Sequence, residues 1–230
     1  MIILADENIP NVKQSFAAFG EVRTASGRDI NAAMLTDVDV LLVRSVTPVN
    51  EQLLTGSLVK FVGSATTGTD HLDMGYLAKA GIHFGHAHGA NARSVTEYVL
   101  AVLAQLYVTR AIDFFDKKVG IIGLGKVGGG LYKALEKLDI YCTAYDPLIA
   151  QDSYANMTSL EQVLQADIVC VHTPLTTTGD YPTSYMLAEK QLAKLKQGAV
   201  LINAGRGEVV DNKALLGVYN TNSKLITALD

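Results

Sequence analysis

Gly123-Leu124-Gly125-Lys126-Val127-Gly128 follows the apolar run Val119-Gly120-Ile121-Ile122 and opens a stretch, Leu131 to Leu138, whose apolar residues recur at helical spacing. Strand, glycine turn and helix in that order begin a βαβ unit. The glycines suit a tight turn, a close backbone approach to a pyrophosphate and close helix packing, and the helix start offers N–H groups to an anion. Glycine spacing alone also suits a purely structural turn, so the surroundings decide. The next apolar run, Ile140 to Tyr145, predicts a second strand ending at Asp146. That is about 20 residues beyond the glycines, where an acidic group meets the adenosine ribose. A carboxylate there accepts from both ribose hydroxyls and repels a 2′-phosphate, and Pro147 to Ala150 brings no Arg or Lys to neutralise one. The pattern favours NAD over NADP. The alternative is a loop carboxylate that starts the turn before Pro147.

Working outward, the same alternation continues to the end of the chain. Strands are predicted at 118–123, 140–146, 167–173, 199–204 and 224–229, with helices near 126–138, 159–165, 187–195 and 211–219. Upstream, short apolar strands recur at Ile2–Ala5, Glu21–Ala25, Val38–Val43, Lys60–Ser64 and Ile82–Phe84. Helical patterns lie between them at Asn11–Phe19 and Met74–Ala80, with Gly20 and Gly81 where C-caps belong. A long helix, Ser94–Ala111, is capped by Asn91 or Ser94 and links the two series. Alternation of this kind means parallel sheets. The expected fold is therefore α/β, two Rossmann-like or flavodoxin-like doubly wound domains: a substrate-binding domain over 1–91 and a dinucleotide-binding domain over 92–230. The second has five strands where six are usual, and it reads as truncated after its fifth.

Composition narrows the function classes. The 230 residues are 49% hydrophobic with a net charge of −4, enough apolar content for a large core. No basic block or basic aromatic stripe is present, which argues against a nucleic-acid partner. The longest apolar stretch, Val99 to Val108, is interrupted by Gln105 and falls short of the ~20 residues a membrane span needs, so no membrane association is expected. Met1 to Ala5 reads as a strand and not a signal peptide, which points to the cytoplasm. Cys142 and Cys170 fall inside predicted strands without metal spacing and are expected to be buried, reduced thiols.

Several strand ends carry polar residues. Arg206, between Gly205 and Gly207 after the strand at 199–204, is placed to project into the crevice and grip a carboxylate with its planar fork. The alternative is a surface pair with Glu208 or Asp211. Thr173, after the third strand of this series, can hydrogen-bond the cofactor. His172 is a candidate acid/base, although a histidine there is more often a packed residue. In the first half, Arg44-Ser45-Val46-Thr47 and Ala65-Thr66-Thr67-Gly68-Thr69-Asp70 concentrate hydroxyls and N–H groups suited to a phosphate or carboxylate. Turn formation explains some of these equally well, with Thr69 or Asp70 as a helix cap. His83, His86 and His88 lack a carboxylate or cysteine partner at ligand spacing, and no metal is expected.

These segments together resemble the D-isomer-specific 2-hydroxyacid dehydrogenases, over essentially the whole chain. The resemblance is carried by Ala5-Asp-Glu-Asn-Ile-Pro10, Val43-Arg-Ser-Val-Thr47, Phe61 through His71, His172-Thr-Pro-Leu175 with Gly179-Asp-Tyr181, and Ile202 through Asn212. It implies NAD-dependent oxidation of a small phosphorylated hydroxyacid, substrate contacts from Ser45 and Thr66, and a catalytic arginine at Arg206. It implies cofactor contacts from the glycine loop, Lys126 and Val127 included, and from Asp146, Thr173 and Asp230. In the family a histidine, its basicity raised by a glutamate, takes the hydroxyl proton; both positions fall beyond the equivalent of Asp230. A homodimer is implied for the complete protein. Other hydroxyacids such as phosphoglycerate, or a non-catalytic NAD-binding module, are the competing readings.

Overall fold

The structure, a computed structural model, describes residues 1–110 and 112–229. Two compact units divide it, Met1–Ala90 and a second beginning at Asn91. In the first, β1 (Ile2–Asp6), β2 (Glu21–Ala25), β3 (Val40–Val43), β4 (Phe61–Ser64) and β5 (His83–His86) form one sheet. Their order is β2-β1-β3-β4-β5 and every pairing is parallel. In the second, β6 (Val119–Ile122), β7 (Cys142–Tyr145), β8 (Ile168–Val171), β9 (Val200–Asn203) and β10 (Ile226–Leu229) form another parallel sheet, ordered β10-β9-β8-β6-β7. Counted within each unit, both orders are the flavodoxin-like 2-1-3-4-5. The α/β doubly wound architecture expected from the alternation is the one observed.

Strands β6, β8 and β9 are buried at every position, because helices cover both faces of the sheet. On one face Leu131 and Leu135, from the helix Lys126–Glu136, meet Val99 and Leu103 from the helix Ala92–Arg110. On the other, Val163, Leu192, Leu215 and Val218 pack against Val169, Val171 and Leu201. Full burial of each large side chain contributes roughly 1.5–3 kcal/mol. Cys142 and Cys170 are buried free thiols, and burial pushes both up to about 12, so they stay protonated.

The structure redraws some expected local elements. The helix expected over 11–19 spans only Val12–Phe16 and ends on Ala17, so Gly20 is no helix cap; a Cβ there would lie 2.0 Å from the Met1 carbonyl oxygen. Gly81 does cap, at φ 68°, its N–H bonding back to Leu77 and Ala78. The start of that helix is capped by Asp73, which accepts from the Tyr76 N–H at 2.9 Å, and not by Thr69 or Asp70. The linking helix starts two residues early, at Ala92, and Ala111 lies outside the described residues. The helix expected over 187–195 shrinks to Glu189–Leu192, because Leu187 is drawn into an isolated bridge with Val210.

Among the described residues, no helix is long and apolar enough to cross a membrane.

Candidate functional site

In the second unit the chain runs from β6 outward to β7, then back across to β8. The carboxyl ends of β6 and β8 therefore flank the point where the strand order reverses, where open α/β sheets bind ligands. The glycine loop leaves β6 here, and its three glycines differ physically. Gly123 turns at φ 86°, where an added Cβ would also meet the Thr173 methyl at 2.9 Å. Gly125 is open, with nothing within 4 Å of a Cβ position. At Gly128 a Cβ would lie 1.9 Å from the Gly123 carbonyl oxygen, so this glycine sets how closely the helix seats on the turn. Gly125 is also the N-cap of that helix and supplies no side-chain hydrogen bond to it.

A cleft of about 500 Å³ opens beside this loop. Gly123, Gly125, Asp146 and Thr173 all line it, together with Pro147, Leu148, Thr176, Tyr181 and Met186. Asp146 starts the turn before Pro147, as the alternative reading has it, and also lines the cleft. Its carboxylate organises the loops, accepting from the Leu124 N–H at 2.8 Å and the Leu148 N–H at 3.0 Å. Each oxygen retains a lone pair for a further donor. The Thr173 hydroxyl is buried and without a partner, an orphan that a polar ligand group would satisfy. Both ring nitrogens of His172 are likewise buried and unpartnered, and burial lowers its pKa to about 4. The imidazole is neutral across the physiological range.

Of the remaining predicted residues, Lys126, Val127 and Arg206 follow strands of this same sheet. Lys126 and Val127 form the first turn of the glycine-loop helix, and the Val127 carbonyl accepts from the Thr96 hydroxyl at 3.4 Å. Arg206 lies after β9, outside the cleft lining, in a turn tied down by Asn203. The Asn203 side chain donates to the Arg206 carbonyl at 2.9 Å and accepts from the Gly205 N–H at 3.0 Å. A Cβ on Gly205 would sit 2.8 Å from the Thr173 carbonyl oxygen, so the arginine turn abuts the end of β8. Asp211 caps the helix Asn212–Tyr219, accepting from the Lys213 and Ala214 N–H groups. Asp230 lies outside the described residues.

One stretch of the cleft lining was given no site role by the sequence. The segment 174–183 is fastened by Thr183, whose hydroxyl donates to the Pro174 carbonyl at 2.6 Å and accepts from the Thr176 N–H at 2.8 Å. Its sequence signals are the threonine run flanked by Pro174 and Pro182 and the Gly179-Asp-Tyr181 word of the family resemblance, neither of which specifies the clamp.

In the first unit, Ser45 follows β3 and is exposed, while Thr66 follows β4 and is half-buried. Thr66 Oγ1 lies 2.9 Å from Ser64 Oγ, which lies 3.0 Å from His71 Nε2. Thr47 is committed structurally, donating to the Gly27 carbonyl at 2.7 Å.

Residues 90–230 match the family model described as D-isomer specific 2-hydroxyacid dehydrogenase, NAD binding domain. The chain belongs to the D-isomer specific 2-hydroxyacid dehydrogenases. As a member of that family it has NAD as its cofactor, and the glycine loop, Asp146, Thr173 and Arg206 all fall within the matched residues, whereas Ser45 and Thr66 precede them. Erythronate-4-phosphate dehydrogenase of Teredinibacter turnerae is 50% identical over 216 residues, covering 94% of this chain and 57% of the relative. The enzyme of the same name from a Marinomonas species is 45% identical over 232 residues, covering 100% of this chain and 61% of the relative. The chain thus spans about six tenths of the length of these relatives. The same fold appears in the NAD+-bound 3-phosphoglycerate dehydrogenase of Entamoeba histolytica, at a TM-score of 0.84, 23% identity, and coverage of 100% of this chain and 80% of that one.

The described residues fit NAD on physical grounds. An open glycine at a helix start, an orphaned hydroxyl and a carboxylate with spare lone pairs converge on one cleft.

Proposed function

We propose that the chain provides the NAD-binding unit and the first substrate-binding unit of an erythronate-4-phosphate dehydrogenase, a step in pyridoxal phosphate synthesis. The observation that carries this reading is half identity to a relative of that name over 94% of the chain. The substrate is 4-phospho-D-erythronate and the product 2-oxo-3-hydroxy-4-phosphobutanoate. Oxidation removes a hydride from C2 and a proton from its hydroxyl, the proton going to the histidine base that the family resemblance implies. NAD, when bound, supplies the hydride acceptor.

The chain's own residues align the partners. Gly125 and the helix start receive the pyrophosphate, Asp146 accepts from the ribose hydroxyls, and Thr173 gives its orphaned hydroxyl to the cofactor. Asp230 is assigned to the nicotinamide end. The Arg206 fork holds the substrate carboxylate and stabilises negative charge on the C2 oxygen as the hydride leaves. Ser45 and Thr66 bind the phosphorylated hydroxyacid. His172 does not take the hydroxyl proton, because its ring nitrogens are buried and its pKa of about 4 makes it a poor base. A cytoplasmic homodimer is the expected setting, on the family resemblance and the reading of Met1 to Ala5 as a strand.

The test is NADH formation from 4-phospho-D-erythronate, compared with 3-phosphoglycerate and lactate. Preference for an unphosphorylated acid overturns the substrate assignment. NADH binding without turnover of any of the three leaves a cofactor-binding module and overturns the activity assigned to this chain.

A further inference from the structure

Thr66 ends a hydrogen-bonded line of three side chains. His71 Nε2 lies 3.0 Å from Ser64 Oγ, and Ser64 Oγ lies 2.9 Å from Thr66 Oγ1. Ser64, the last residue of β4, is 5% exposed, so its hydroxyl has little water to turn to. The imidazole is carried on backbone fixed from outside: the His71 carbonyl accepts from the Val49 N–H at 2.7 Å, and Leu72 bridges to Val49.

Three proton arrangements satisfy these distances, but the one in which Ser64 accepts from both neighbours leaves its own buried hydroxyl proton without an acceptor, so two remain. With the proton on His71 Nε2, the ring donates to Ser64, Ser64 donates to Thr66, and the Thr66 proton is left pointing outward. With Nε2 bare, Ser64 donates to the ring, Thr66 donates to Ser64, and Thr66 offers only lone pairs. The Gly68 carbonyl oxygen decides between them. It lies 3.5 Å from Thr66 Oγ1 and is an acceptor only, so the second arrangement sets lone pairs against lone pairs. The first gives the Thr66 proton a resting place long enough to be given up easily.

From this geometry we propose that His71 is a positioning residue: through Ser64 it holds the Thr66 hydroxyl as a hydrogen-bond donor for an anionic oxygen of the substrate. Each link polarises the next, strengthening the terminal donor. Without the His71 proton the line reverses, and Thr66 repels the anion it faces. The inference rests on the assignment of Thr66 to the substrate.

Two measurements on the 230-residue protein test it. Long-range proton–nitrogen NMR at neutral pH reads the tautomer of His71 without any ligand, and the expected result is a proton on Nε2. A bare Nε2 overturns the relay. Calorimetric titration with 4-phospho-D-erythronate then compares the unaltered protein with Thr66→Ala, His71→Phe, His71→Gln and the Thr66→Ala/His71→Phe pair. Thr66→Ala and His71→Phe are each expected to weaken binding about tenfold, ~1.4 kcal/mol, and His71→Gln, which keeps an N–H donor, to recover most of it. The pair is expected to lose no more than Thr66→Ala alone. Additive losses, or full affinity in His71→Phe while Thr66→Ala is impaired, overturn the relay and leave the Thr66 assignment standing. Full affinity in Thr66→Ala overturns that assignment instead. If the unaltered protein does not bind, the substrate assignment fails, and the tautomer still decides the direction of the line.

Discussion

The three glycines of the 123–128 loop make separable predictions, and Gly128 against Gly125 is the sharpest pair. An alanine at 128 puts its methyl 1.9 Å from the Gly123 carbonyl oxygen and 3.3 Å from an Ile121 methyl. Backbone cannot rotate aside as a side chain can, so the helix Lys126–Glu136 must retreat by more than about 1 Å to restore van der Waals spacing. That retreat unseats Leu131 and Leu135 from the core they share with Val99 and Leu103. Overpacking of this kind costs about 1–3 kcal/mol, and the better helix propensity of alanine returns at most ~1 kcal/mol. An alanine at 125 meets nothing within 4 Å and keeps an ordinary φ of −64°. Its stability is expected to change by less than about 0.5 kcal/mol. Its methyl nevertheless enters the space assigned to the pyrophosphate, so NADH affinity is expected to fall about tenfold or more, ~1.4 kcal/mol. Urea denaturation and NADH fluorescence titration measure the two effects separately. Equal loss of stability in both variants, or unchanged NADH affinity in Gly125→Ala, refutes the division of roles.

Three further outcomes are expected. His172 has a pKa lowered from 6.5 to about 4 by burial; between those values the unfolded chain takes up a proton that the folded chain refuses, so stability rises with pH across that window, by at most about 3 kcal/mol. Denaturation midpoints from pH 4 to 7 should show this slope in the unaltered protein and a shallower one in His172→Leu. Arg206→Lys loses the planar fork and is expected to lower kcat/KM on 4-phospho-D-erythronate by about 10² or more, ~2.7 kcal/mol, while NADH titration stays unchanged. Asn222 is buried and joins the Gly198 N–H (2.9 Å) to the Lys196 carbonyl (3.0 Å), so Asn222→Ala should cost about 1–3 kcal/mol in urea denaturation.

What could be read from the sequence depended on how locally each feature is encoded. The glycine spacing constrains backbone directly, so the strand, turn and helix around 119–136 appear as expected. Strands β6, β8 and β9 announce themselves as continuous apolar runs because both faces are covered. The short helices were obscure for the opposite reason. Glu51–Leu54 and the turn Ala32–Leu35 are too brief to show a period, and only their capping asparagines, Asn50 and Asn31, mark them. Leu187 reads as helical by pattern yet lies extended, because its partner Val210 is distant in sequence. The Thr183 clamp and the His71–Ser64–Thr66 line depend on side chains meeting across turns, which residue identity alone does not specify. Asp146 was legible as a position, while its bond to the Leu124 N–H required the fold.

That bond matters to anyone wishing to change which nicotinamide cofactor this protein accepts. The obvious route replaces Asp146 with a small neutral residue and adds a cation nearby for the 2′-phosphate. Here the same carboxylate anchors the Leu124 and Leu148 amides, so its removal strips an acceptor from the glycine loop and from the turn after Asp146 at once. A successful swap therefore needs a replacement that still accepts from Leu124, such as asparagine or serine. Alanine would exchange a selectivity problem for a loosened loop.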